Sequence, residues 1–172
     1  MSKRSPAGAD PVRDEDRLQE IADLHLTDTR EDPELVAIAR GAAESLHLPI
    51  GIVSIVLDDA QYFVAAHGLE GWVARVRGTP VEWSFCANAV RSGEPFVVED
   101  ARSHPAVKDS PMVEVQGIGC YAGIPLRTSR GQVLGTLCVA GTERRAFRPE
   151  DISALRALAE RALARIEERR TT

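Results

Sequence analysis

Cysteine is scarce in this chain of 172 residues: three in all, an odd number, with no CxxC pair. Such a count points to reduced thiols in a cytosolic protein rather than to a disulfide framework. Long apolar runs are missing too. A stretch such as Gly51 to Leu57 falls far short of the roughly 18 residues a membrane span needs. The N-terminus, MSKRSPAGADPVRDEDR, has charges but no apolar segment, so it does not read as a signal peptide. Positive charge is not in excess. The net charge is −5 and Lys and Arg are scattered, with one cluster at the C-terminus, where a nucleic-acid binder would show a basic stripe. His25, His47 and His67 lie far apart with no metal-ligand spacing, so no metal is expected.

What remains is ordinary globular material. A hydrophobic share of 44% with 27% charged residues fits one domain able to bury a sizeable core. Residues 1–14 are polar and carry Pro and Gly, so a disordered tail is expected ahead of a single domain over 15–168. Leu18, Ile21, Ala22, Leu24 and Leu26 have helical spacing, ending near Thr27-Asp28-Thr29. Asp32 and Pro33 supply an N-cap and first-turn proline for a second helix, which Pro49 stops. Ile50 to Leu57 is β-branched and apolar, a buried strand. Asp58-Asp59 turns the chain, and Gln61 to His67 returns as a second strand. Gly71 to Val81 has no clear period and reads as a loop with room for a helical turn.

Ser84 is a candidate N-cap for a short helix that Gly93 closes, and Phe96 to Val98 forms a third strand. Ala101 to Gly117 is a long connection, of the kind that is functional or carries its own short helix. The central stretch is Gly119 to Gly141, two apolar runs around Thr128-Ser129-Arg130-Gly131, the pattern of a β-hairpin. With Ser129 and Arg130 at the tip, Ile124 pairs with Gly135 and Tyr121 with Cys138. One face is then Cys120, Ala122, Ile124 and Leu126 with Val133, Gly135, Leu137 and Val139. The other is Tyr121, Gly123 and Pro125 with Leu134, Thr136 and Cys138. Both are largely apolar, so the hairpin is covered on both sides. This register puts Cys120 and Cys138 on opposite faces and excludes a disulfide between them. Pro149 opens a last helix, whose end, IEERRTT, is charged all round and expected to fray or extend into solvent. The sum is an α/β (α+β) sandwich: a mostly antiparallel sheet of about five to six strands, terminal helices on one face, and the long excursion forming a pocket on the other.

In their order and spacing, LPIGIVSIVLDDAQYFVAAHGL, SFCANAV with SGEPFVVEDARSHP, CYAGIPLRTSRGQVLGTLCV and FRPEDISALRALA resemble the GAF domain family, along about residues 18–166. The resemblance implies a small-molecule pocket between sheet and excursion, dimerisation through the terminal helices and a place in bacterial signal transduction. It does not fix a cofactor or ligand, since members differ and fold does not settle function. Some family features are absent. Ala140-Gly141 stands where the family usually carries an Asp after GTLCV, and the asparagine-lysine start of the cyclic-nucleotide signature is missing. There is no bilin-type Cys-His pair, and no histidine is placed to hold haem.

The pocket candidates are Trp83, Phe85, Cys86, Asp100, Arg102, His104, Tyr121 and Thr136. Trp83, Phe85 and Tyr121 would stack a planar ligand, although core packing serves Phe85 as well and Trp83 equally suits a partner interface. Asp100, Arg102 and His104 follow a strand end; Arg102 would face an anionic ligand or pair with a surface carboxylate. Cys86, early in the Ser84-capped helix, is the redox candidate, because a helix start stabilises a thiolate. A plain pocket-wall cysteine is the preferred reading. Cys120 and Cys138 read as core. Arg127, Arg130, Arg144, Arg145 and Arg148 read as solvated surface.

Two functions from different classes follow. The preferred one is a non-enzymatic, cytoplasmic sensory module that binds an unidentified small molecule or partner. It acts as a homodimer through helices 15–46 and 149–168, and a separate signalling protein reads it. No nucleic acid and no membrane is involved. The alternative is a thiol redox protein using Cys86. Methionine-sulfoxide-reducing members of the family place their cysteines elsewhere, so that activity does not carry over. A ligand-free interaction domain with its pocket filled by side chains is a third option.

Overall fold

A computed structural model describes residues 10–27 and 31–171. Twelve elements follow one another: α1 (Glu15–Asp23), α2 (Pro33–Ser45), β1 (Ile50–Val56), β2 (Ala60–His67), α3 (Gly71–Val76), β3 (Gly78–Pro80), α4 (Cys86–Ser92), β4 (Phe96–Val98), α5 (Pro111–Glu114), β5 (Cys120–Arg127), β6 (Val133–Gly141) and α6 (Pro149–Glu167). The six strands form one sheet in the order β3-β2-β1-β6-β5-β4, with every neighbouring pair antiparallel. The expected sandwich is present, with β6 at its middle. Among the described residues no helix is long and apolar enough to cross a membrane.

Each face of the sheet has its own core. On one side α2 and α6 bring Leu35, Ile38, Leu155 and Ile166 onto Val53, Ile55, Ile124, Leu137 and Val139. On the other, α4 and the excursion bring Phe85, Val90, Val107 and Val113 onto Ile52, Phe63, Tyr121 and Cys138. The helix face is close-set. A Cβ added at Gly51 would collide with the Ala39 carbonyl of α2, and one at Gly135 with the Ser54 carbonyl of β1. Glycine there is a packing requirement.

The structure corrects four sequence expectations. The hairpin register differs by two residues: Tyr121 lies opposite Ala140, Gly123 opposite Cys138 and Ile124 opposite Leu137, while Arg127 lies opposite Val133. The loop is wider than a two-residue tip, with Thr128 N–H donating to the Gln132 carbonyl, and a bulge in β6 absorbs the extra residue. A shift by an even number keeps Tyr121 and Cys138 on one face and Cys120 off it. Past the bulge the parity reverses, so Leu134 packs on the helix side and Val133 on the other.

Residues 10–14, placed in the tail by composition, are ordered: Pro11–Arg13 is a 3-10 turn with Val12 buried, while 1–9 lie outside the described residues. The turn is held by Arg17, 2% exposed, which donates to the carbonyls of Pro11, Val12, Val133 and Leu134. Burial lowers its pKa to about 10, so it stays charged at neutral pH. The segment 71–81 holds a short helix, α3, where a helical turn had room, and also the edge strand β3, where a loop was expected. The chain end is tied down: a 3-10 turn over Glu168–Thr171 lets Arg170 pair with buried Glu20, which also accepts from Thr128 Oγ1. The inner apolar stripes of α2 and α6 pack against the sheet and against each other.

Candidate functional site

The excursion face encloses the site. β1 alternates Ile52 and Ser54 onto this face, β2 supplies Gln61 and Phe63, β5 Tyr121, and β6 Thr136 and Cys138. α4 lies over them. Ser84 stands one residue ahead of the N-cap, Phe85, with its Oγ accepting from Ala87 N–H at 3.1 Å, and Gly93 closes the helix with φ 71°. Over the Cys86 end of α4 sits a cavity of about 50 Å³. Phe63, Phe85, Ile52, Tyr121, Cys86 and Cys138 form its walls, and half-buried Ile50, Leu69 and Met112 lie toward its mouth. Sites for drug-sized ligands run to roughly 300 Å³ and above. This one suits a few heavy atoms, not a nucleotide, a haem or a bilin.

Two polar clusters lie behind the apolar walls. In the first, Gln61 Oε1 accepts from Ser84 Oγ at 2.7 Å and from Ser54 Oγ at 3.4 Å, while Gln61 Nε2 donates to Thr79 Oγ1 at 2.6 Å. The second is built on Cys86. Tyr121 OH donates to its Sγ at 3.1 Å and Thr136 Oγ1 at 3.2 Å, and the Cys138 Sγ lies 3.9 Å away. Both thiols are buried. The Cys138 contact, opposed by desolvation and aided by Thr136, Tyr121 and Ser54, pulls the Cys86 pKa below the ordinary thiol range. The same contact and burial push Cys138 up. Burial, reinforced by charge on the neighbouring sulfurs, raises the Tyr121 phenol and keeps it a donor.

Of the eight sequence candidates, Phe85, Cys86 and Tyr121 line the cavity and Thr136 touches Cys86. Trp83, Asp100, Arg102 and His104 do not line it. Trp83 packs edge-on against Trp72, centroids 5.8 Å apart. Arg102 is exposed. The His104 ring stands against Phe96, and its Nδ1 accepts from Ala106 N–H. The expected stacking trio also dissolves, because Phe85 and Tyr121 pack on each other edge-to-face. Sequence reasoning missed Ser54, Gln61 and Cys138. The one available signal was that Ser54 and Gln61 interrupt strands that are otherwise apolar at buried positions.

A six-stranded antiparallel open sheet with helices on one face and a cavity under an irregular cover on the other is a mixed α/β sandwich. Residues 29–167 match the GAF domain family model. The chain belongs to the GAF domain family. It is 34% identical over 164 residues to a cyclic di-GMP phosphodiesterase of Pseudomonas aeruginosa, a match spanning 94% of this chain and 27% of that protein. Among solved structures it resembles the GAF domain of a phosphoenolpyruvate-protein phosphotransferase from Coxiella burnetii, with TM-score 0.67 and 21% identity over 95% of this chain and 98% of that one. It also resembles free methionine-R-sulfoxide reductase from Neisseria meningitidis, with TM-score 0.65 and 18% identity over 99% of each chain.

Proposed function

We propose that this chain is a non-enzymatic sensory module of signal transduction, which takes a compact small molecule in the cavity between the sheet and α4–α5. The observation that carries this is the cavity's make-up: apolar walls over a floor where the hydroxyl and thiol groups of Tyr121 and Cys86 meet. Apolar walls give affinity and a few polar groups give orientation. Occupancy would favour one placement of α4 against β6, and a partner protein would read that population shift. The Pseudomonas relative supports a signalling enzyme as that partner, with cyclic di-GMP turnover as one output. Likeness to the sulfoxide reductase at 18% identity supports the fold and not the activity.

Homodimerisation belongs to the same proposal. Because the inner stripes of α2 and α6 are already buried, a helix-layer dimer would use the outer face of α6, where Arg156, Ala157, Glu160, Arg161 and Ala164 are exposed or half-exposed. Native mass spectrometry of protein from its own host tests both parts. A mass excess lost on denaturation supports the ligand, and a doubled mass supports the dimer. A bare monomer that also shows no thermal shift with small-molecule panels would overturn the reading.

A further inference from the structure

We propose that Cys86 and Cys138 form a reversible dithiol switch, oxidised to an intramolecular disulfide by a small hydroperoxide that enters the cavity both sulfurs line. Three observations converge on it. The sulfurs sit 3.9 Å apart although 52 residues separate them in sequence. Both border the same cavity, which is sized for a molecule of a few heavy atoms. The hydroxyls of Tyr121 and Thr136 donate to the Cys86 sulfur at 3.1 and 3.2 Å, which equips it to be held as the attacking thiolate. The switch does not depend on a ligand occupying the cavity.

The chemistry balances in two steps. The Cys86 thiolate attacks the terminal peroxide oxygen, the O–O bond breaks, sulfur is oxidised to sulfenic acid, and the alkoxide or hydroxide leaves. That oxygen takes up the proton Cys86 had released, giving an alcohol or water. The Cys138 sulfur then attacks the sulfenic sulfur, the S–O bond breaks, and hydroxide leaves with the Cys138 proton as water. The net change is two thiols and one hydroperoxide giving one disulfide, one alcohol or water, and one water. Cys138 approaches from β6 on the same face, so the bond would pin the start of α4 to the middle of the sheet. Cys120 takes no part: it points to neither sulfur, and burial raises its pKa.

The test is intact mass of the folded full chain after brief treatment with hydrogen peroxide, followed by peptide mapping. The expected result is loss of two hydrogens, a Cys86–Cys138 linked peptide, and full reversal by dithiothreitol. Cys120→Ser should behave as wild type. Cys138→Ser should gain one oxygen at Cys86, trapped by dimedone, with no loss of hydrogens. Mapping on the wild-type chain keeps the test decisive even if a variant folds poorly. No mass change while the chain stays folded, a link through Cys120, or a link between chains would each overturn the switch.

Discussion

The two faces of the central sheet are built to different rules. On the helix face α2 and α6 close over the strands with residues such as Leu35, Leu137, Leu155 and Ile166. On the excursion face the cover is short helices and turns, the strands carry Ser54, Gln61, Thr136 and Cys138, and a cavity remains. Close packing rewards shape alone. A face that must admit something keeps hydrogen-bonding groups, each of which must be satisfied while the site is empty. Gln61 and Cys86 are how this chain meets that requirement.

The contrast can be tested by neighbours in the chain that point to opposite faces. Leu137→Ala empties a fully buried site on the helix face and should destabilise by about 2–5 kcal/mol, whereas Cys138→Ala beside the cavity should cost about 1 kcal/mol. Urea denaturation compares them; equal losses would mean the two faces are packed alike. Next in size is Gln61→Leu, which strands the hydroxyls of Ser54, Thr79 and Ser84 and should cost about 1–3 kcal/mol. A gain in stability would show that the network is not needed to satisfy the empty site.

Smaller is Tyr121→Phe, at about 0.5–1.5 kcal/mol. Here the more telling readout is the pH dependence of alkylation at Cys86. Losing that donor, or the Thr136 hydroxyl in Thr136→Val, should move the midpoint upward, because the hydrogen bonds hold the thiol down. An unmoved midpoint in both would remove the hydroxyls from any role at that sulfur.

The smallest effect is acid weakening of the helix layer. Asp32 caps α2 and accepts from Arg165 Nε of α6 at 2.8 Å. Burial raises its pKa, but the Arg165 and backbone hydrogen bonds outweigh that, and the net shift is downward. A lowered folded pKa gives stability that is present above the unfolded value and lost as pH falls through the folded one. The expected loss in that acidic window is under about 1 kcal/mol, and Asp32→Asn should abolish its pH dependence in denaturation curves.

Much of the fold was legible from local pattern. Asp32-Pro33 and Ser84 with Gly93 announce helix ends through caps and turns, and the apolar runs of β1, β5 and β6 announce buried strands. The pairing of two such runs around Thr128–Gly131 also follows from composition alone. The side-chain alternation of strands carried Tyr121 and Cys138 onto one face even with the register two residues out, since an even slip leaves alternation unchanged. What tertiary structure alone decided is where alternation breaks and what meets across the chain. The β6 bulge, with Arg17 donating to Val133 and Leu134 beside it, reverses the faces at the strand's start. The meeting of Cys86 with Cys138, and the size of the cavity, depend on how far α4 settles onto the sheet. That depth is set by the summed packing of residues distant in sequence, a sum that no local period encodes.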